Sequence, residues 1–493
     1  MSSRHLVQTG AHPHLTSLAT WTVFTLFVGC VWSLTGIAGL YASLAVSLVF
    51  AFAVVAGRFR ALIMSAAVCC LGLYPFSWGL QTGVVPKLFG DEVILILYLA
   101  AFPFLYLLGA RAWRSGFGKL YISLFGFVFL QALSFLGTAR DLVAIRNFLE
   151  TFVLGSLLLV LFLQEGSNSS VEPVGASIVA VTTVIAALSV VERIVQRNPI
   201  MEHSTDIFYL SPELARITEG VYRPYVSFFH PSETGTFMAL GAPFAIRFWM
   251  RRKDWLSTAV LAIIASGLIV NATRGVWVGV TIGVLILFRR ARALFAAAVA
   301  AAGVIGMIAY LGFGSSPFFQ RLTDPNNLYS RFEYWRLAVK IFLAHPMVGV
   351  GHMQFKTVYL NYVQDLSNVA QFDIAKVSVV DNMYLTTLVE HGFIGLAALL
   401  GLLIAAWRLM AHRRQELVAR GLLVPASFVR CSEVALWTYA VTGFFADVNQ
   451  FTKATKLVLI LVGLGLAAGF KQGDQKEAAT APVERSIPTG SLA

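Results

Sequence analysis

Four short stretches carry most of the polar chemistry of this chain. They read "YRPYVSFFHPSETG", "NATRGVW", "SRFEYWRLAVKIFLAHPMVGVGHMQF" and "DNMYLTTLVEHGFIG". Together they supply Arg223, Arg274, Arg331 and Arg336, the acids Glu233, Asp381 and Glu390, and the histidines His230, His345, His352 and His391. Arginine presents a planar fork that donates two parallel bonds to phosphate oxygens. Each stretch borders an apolar run, and polar groups at membrane depth are costly enough to mark function.

The elements that must position these residues are membrane helices. The chain has 493 residues, of which 57% are hydrophobic and 13% charged, with mean hydropathy +0.74. A soluble protein of this length could not hide that much apolar surface, so the fold expected is an all-α, polytopic integral membrane protein. Windows of about 20 apolar residues give roughly fourteen spans, so that about 12–14 transmembrane helices are expected. They fall near 17–35, 38–56, 61–79, 92–110, 120–137, 147–163, 174–192, 234–250, 255–271, 275–288, 293–312, 382–410, 430–447 and 455–470, with the first break near Thr35–Gly39. The formal charge of +12 sits in short basic clusters that follow even-numbered spans. Such clusters orient membrane proteins, which places both termini in the cytoplasm and makes nucleic acid an unneeded partner. The segment "QEGSNSSVE" is acidic on an expected inner loop, where acids weigh little.

Two expected outer loops are long, about 193–233 and 313–381, and loops of that length are usually functional. The second holds an expected amphipathic helix with Phe332, Trp335, Val339, Phe342 and Leu343 on one face and Glu333, Arg336 and Lys340 on another. Such a helix lies on the outer interface or packs as a lid over the bundle. Gly275, Gly279 and Gly283 repeat every fourth residue, the stripe that lets membrane helices approach closely. Cys30, Cys69, Cys70 and Cys431 lie in apolar runs without metal-ligand or disulfide spacing. No zinc-protease, nucleophile-elbow or P-loop motif occurs. The first 17 residues show no secretory cleavage pattern, and the segment from Gln472 onward reads as disordered.

The blocks "RPYVSFFHPSETGTFMAL", "NATRGVWVGV", "SRFEYWRLAVKIFLAHPMVGVGHMQF" and "DNMYLTTLVEHGFIGL", in that order, resemble the bacterial O-antigen ligase and polymerase superfamily. The resemblance covers about 220–400. It implies a GT-C-like membrane fold and transfer of a glycan from an undecaprenyl-diphosphate carrier to an acceptor hydroxyl at the periplasmic face of the inner membrane. The reaction would be inverting, metal-independent and without cofactor. Ligases use the lipid A core as acceptor, and polymerases another lipid-linked repeat unit. The family's arginines bind the diphosphate, and Arg223 and Arg274 are their counterparts by motif. Arg331 and Arg336 are further candidates that could instead anchor the interface; Arg331 could also pair with Glu333 or cap a helix. Fixed guanidinium groups would stabilise the charge growing on the leaving diphosphate.

The acceptor hydroxyl must also lose a proton to a base. The ligase signature is a histidine, then Asn, Ser or Gln, then nine residues and Gly-x-x-Gly. Asn382, "MYLTTLVEH" and Gly392–Gly395 fit that frame, but the histidine position is Asp381. Asp381 is then either the base or, with Asn382, the N-cap of the twelfth span. Asn382 could also position the acceptor. His230 and Glu233 are the reserve bases, and Glu233 could instead pair with Arg223. His352 is a further reserve. His345 would end the amphipathic helix, and Glu390 and His391 would pack inside the bundle. The departure from histidine favours a polysaccharide polymerase of the O-antigen, capsule or exopolysaccharide kind. A ligase is the alternative within the class and a lipid-linked glycan flippase the alternative outside it. Expected partners are the lipid-linked oligosaccharide, membrane lipid and a chain-length regulator. Expected divisions are an N-terminal tail (1–16), an N-terminal bundle (17–192), a ligase/polymerase-like membrane domain (193–470) and a cytoplasmic tail (471–493).

Overall fold

The computed structural model describes residues 60–73, 117–135, 142–198, 217–218, 221–228, 230–288, 326–362 and 380–470. The spans expected at 17–56, 92–110 and 293–312, both polar tails, the basic clusters at 111–119 and 289–292 (save Lys119), and Cys30 lie outside these residues.

The described residues are almost wholly helical: α1 (Arg60–Leu73), α2 (Gly118–Leu133), α3 (Leu142–Phe148), α4 (Leu154–Glu165), α5 (Asn168–Val195), α6 (Pro231–Arg252), α7 (Trp255–Val270), α8 (Arg274–Leu287), α9 (Asn326–Ala344), α10 (Phe355–Val358), α11 (Met383–Ala419), α12 (Leu423–Thr442) and α13 (Thr452–Ala467). A π-helical turn, Leu149–Val153, joins α3 to α4. One short antiparallel pair, β1 (Ile217–Thr218) and β2 (Val221–Tyr222), precedes the first arginine block. Ala144–Glu165, Asn168–Val195 and Met383–Ala419 are each long and apolar enough to cross a membrane, and α1, α2, α7 and α8 are shorter apolar helices. The protein is an all-α polytopic membrane protein.

At the centre stands α13, buried along its length and packed on α4, α6, α11 and α12. Around it α8 lies on α12, α7 on α5 and α6, and α2 on α11. The glycine stripe of α8 makes its contact with α12 and the turn beyond it. A Cβ on Gly275, Gly279 or Gly283 would stand 2.3–2.4 Å from Phe445 Cβ, Thr442 Oγ1 or Thr438 Oγ1. Small residues thus let the two backbones approach, as in membrane helix pairs generally.

Several sequence expectations change. The acidic inner segment is not a loop, because Ser167 and Ser170 form a capping box and α5 starts at Asn168. The thirteenth span ends at Thr442 rather than 447, so residues 443–447 form a turn above α12. In α9 the buried stripe is Leu337, Ala338 and Ile341, packed with Phe355, Tyr359, Val380 and Val389. Of the expected apolar face, Trp335 and Phe342 pack partly buried against that cluster, whereas Phe332, Val339 and Leu343 are exposed. Apolar residues occur on both sides of this helix, and the small Ala338, which has no exposed surface, allows the closer approach. The lid contact is therefore made by one face, and an apolar face remains for the interface.

The largest departure is in the twelfth span. Residues 383–419 are one helix only nominally, because Gly392 has φ 68 and ψ −169. That region of backbone space is essentially closed to other residues. The break divides α11 into a short half, 383–391, and a long apolar half, 393–419. The motif "HPMVGVG" fills the break. Val350 and Gly351 N–H donate to Val389 and Glu390 carbonyls at 2.9 and 2.8 Å, and Phe393 N–H donates to Pro346 O at 2.8 Å. Backbone groups orphaned by the break are thus satisfied by the loop, as buried backbone requires.

Candidate functional site

The site is assembled at one end of the bundle from the loop before α6, the start of α8, the end of α9's first turns, the head of α11 and the turn after α12. The loop holding Arg223 is fastened to the end of α5. Glu192, buried, accepts bonds from Tyr222 Oη (2.8 Å), Tyr225 N–H (3.1 Å) and Val226 N–H (2.8 Å). Arg193 donates to Tyr222 O. Asn271 ties the same loop to α8, its amide donating to the carbonyls of Pro224 and Pro231 at 3.1 and 2.9 Å. Gly235 is needed there, since a Cβ would lie 2.4 Å from Asn271 Oδ1.

These ties bury Arg223 to 7% exposure. Its guanidinium donates to Thr273 Oγ1 at 2.7 Å, Ser232 Oγ at 3.2 Å and Asn271 O at 3.4 Å. Arg274 follows Thr273 directly and opens α8, half-buried. The structure therefore brings the two leading sequence candidates to one place, through Thr273. A helix N-terminus adds its own positive end there.

Asp381 comes to the same region from the other side. Its Oδ2 lies 3.4 Å from Arg331 Nη2, with 38% of the side chain exposed. Arg331 also donates to Phe445 O at 3.0 Å. Desolvation of its covered part pushes the Asp381 carboxyl above its ordinary range, and the charges of Arg331 and Arg223 act against that rise. Asp381 has φ 54 and does not cap α11. The cap is Asn382 alone: its Oδ1 accepts from Tyr384 and Leu385 N–H, both at 3.0 Å, and its amide donates to Phe444 O. The two residues considered jointly as a cap thus have separate jobs.

The remaining sequence candidates are engaged elsewhere. Glu233 accepts the N–H of Lys453 at 2.9 Å, at the start of α13. His230 is the N-cap of α6. Its Nδ1 accepts from Ser232 N–H, and its ring stacks on Phe451. A neutral ring with Nδ1 accepting carries its proton on Nε2 and is a donor on that side. Arg336 is 63% exposed beside Glu333 at 3.8 Å, away from Asp381 and its partner Arg331. His345, exposed, ends α9.

His352, Glu390 and His391, from two separate blocks, meet inside the bundle. Glu390 Oε2 lies 3.6 Å from His352 Nδ1 and 4.0 Å from His391 Nε2. The two rings stack with centroids 5.5 Å apart, and His352 Nε2 bonds Asn147 Oδ1 at 3.0 Å. Phe135, Phe148 and Phe152 surround the His352 ring edge-on, two of them beside the π turn. All three ligand-type atoms lie within 4.8 Å of one another, a spacing that suits a shared proton or an ion. Their position between the "HPMVGVG" loop and the half-helix pins the break at Gly392.

Sequence reasoning missed one residue at the site itself. Asp447, in the turn after α12, is 3% exposed, and neither carboxylate oxygen has a hydrogen-bond partner among the described residues. Its turn is fastened to the head of α11 by Met383 N–H to Gly443 O (2.7 Å) and by the Asn382 bond to Phe444 O. Burial and the neighbouring Asp381 push its carboxyl up to about 7, opposed by the nearby Thr386 hydroxyl. Its signal in the sequence was an acid at the outer end of an apolar span, the same feature that singled out Arg274.

Residues 259–400 match the O-antigen ligase family model. Over that stretch the chain is similar to the O-antigen ligase family, in keeping with the ordered sequence blocks. No curated protein matches it. The match supports an O-antigen ligase/polymerase type of function in general terms. The matched stretch runs from within α7 into α11 and includes Arg274, Arg331 and Asp381. Arg223 and Asp447 flank it and reach the site only through the fold.

Proposed function

We propose that this protein polymerises undecaprenyl-diphosphate-linked repeat units at the periplasmic face of the inner membrane, by metal-independent inverting transfer. Arg223, Arg274 and Arg331 hold the carrier diphosphate, and a carboxylate beside them takes the acceptor proton. Asp381 is the residue that the motif frame puts first in that role. One observation carries the reading: a buried arginine, a half-buried arginine at a helix start and an arginine–aspartate pair converge from four separate sequence blocks. Convergence of that kind suits a leaving group whose negative charge grows as the glycosidic bond breaks, since fixed donors need no reorganisation. The aspartate at the ligase histidine position supports a polymerase over a ligase.

Surface glycans from a deletion strain test this. Single repeat units with no chain growth support the polymerase. Full-length polymer stranded on its carrier would make the protein a ligase. Purified chain that moves the lipid across vesicles yet forms no glycosidic bond would remove it from the transferases.

A further inference from the structure

We propose that Asp447 is the group that takes the proton of the acceptor hydroxyl, with Asp381 a positioning residue that acts through Arg331 and through its own charge. The assignment rests on the transferase reading above. Its basis is a comparison of what each candidate is already doing. Asp381 is paired with Arg331. Glu233 holds the start of α13. His230 caps α6 through its acceptor nitrogen. Asp447 alone among these acids and bases is buried with both carboxylate oxygens unpartnered among the described residues.

An unpaired buried carboxylate is expensive, and folds keep one where function uses it. The surroundings keep this one proton-hungry. From the head of α11 it faces the Asp381 charge and the Thr386 hydroxyl. Further along the half-helix, Glu390 lies within its electrostatic reach, and so does Tyr439 of α12. Among the described residues, no cation is among the groups acting on it. A carboxyl lifted to about 7 is matched to general base work near neutral pH. The turn also positions it, because Gly443, Phe444 and Phe445 carbonyls bind Met383, Asn382 and Arg331 in succession.

The step balances as a displacement. The acceptor oxygen forms a bond to the anomeric carbon of the donor sugar. The bond from that carbon to the diphosphate oxygen breaks, and its electron pair leaves on the diphosphate against the arginines. The acceptor proton passes to an Asp447 oxygen and is lost to water after the product departs. The anomeric centre inverts.

The test uses purified full-length protein in nanodiscs with a synthetic undecaprenyl-diphosphate-linked repeat unit, assayed for new glycosidic bonds between pH 5.5 and 9. Wild type should show a rate that rises with pH through about 7. Asp447→Asn should lose about 10²- to 10⁴-fold in kcat, with donor KM changed little, and the acid limb should disappear. Asp447→Glu keeps a carboxylate and should recover part of both rate and limb, which guards against a folding artefact. Asp381→Asn should keep measurable turnover with the limb moved to lower pH, because a like charge has gone. An active wild type with Asp447→Asn within tenfold, or with the limb intact, overturns the base assignment and leaves the transferase reading standing. A wild type that forms no bond overturns the transferase reading and the base assignment with it.

Discussion

Replacing Gly392 by alanine tests the element on which the site's geometry depends. At φ 68 and ψ −169 an L-residue is strained by about 1–3 kcal/mol. The added Cβ would also stand 2.2 Å from Met347 O and 2.3 Å from Met347 C. Those are backbone atoms, so no side-chain rotation relieves the clash. The loop must retreat, and retreat breaks the bonds from Val350, Gly351 and Phe393 that bridge the break. At about 1 kcal/mol each, three lost bonds and the strain sum to roughly 4–6 kcal/mol, a large part of what holds a typical domain folded. Gly401 in the same helix is the matched control, since a Cβ there meets nothing within 4 Å; alanine should be neutral or stabilise by up to about 1 kcal/mol. Thermal unfolding of both variants in one detergent, with hydrogen exchange at Val350 and Gly351, reads the difference. A Gly392→Ala protein as stable as Gly401→Ala, with those amides still protected, would refute the interlock.

Four further outcomes are expected. Asn382→Ala leaves the N–H groups of Tyr384 and Leu385 uncapped and should cost about 1–2 kcal/mol in thermal stability. Arg274→Lys keeps the charge but loses the fork, and turnover should fall at least tenfold at unchanged expression; near-normal rates would count against diphosphate clamping. Arg331→Ala should abolish most activity, whereas Arg336→Ala, at an exposed position, should stay within about twofold, as side-by-side transfer assays would show. Asp447→Asn should stabilise the protein at pH 8. The raised carboxyl makes the folded chain bind more protons than the unfolded chain between the ordinary aspartate range and about 7. Wild-type stability therefore falls as pH rises through that window, by at most about 4 kcal/mol at about 1.4 kcal/mol per unit. Denaturation midpoints at pH 5 and pH 8 should show that slope flattened in the variant.

The sequence by itself determined the class of the protein and put forward Arg223, Arg274 and Asp381 as candidates. Apolar windows settle an all-α membrane fold because a helix is the cheapest way to satisfy backbone groups in lipid. The glycine stripe of α8 was readable because period four puts small residues on one face. Arg223, Arg274 and Asp381 stood out because charge beside an apolar span is costly. Local patterns could not assign partners. Glu233 turns to Lys453, 220 positions away, and Arg331 to Phe445 and Asp381 rather than to Glu333. Asp447 gains its character only from the head of α11 folding over it. The same holds for the stretch "DNMYLTTLVEHGFIG". Its glycines read as a motif frame, but only the docked "HPMVGVG" loop explains why a helix must break at Gly392 and have another backbone close the gap. Hydrogen-bond partners and electrostatic surroundings are properties of three-dimensional neighbours, and those neighbours here come from blocks scattered between Glu192 and Lys453.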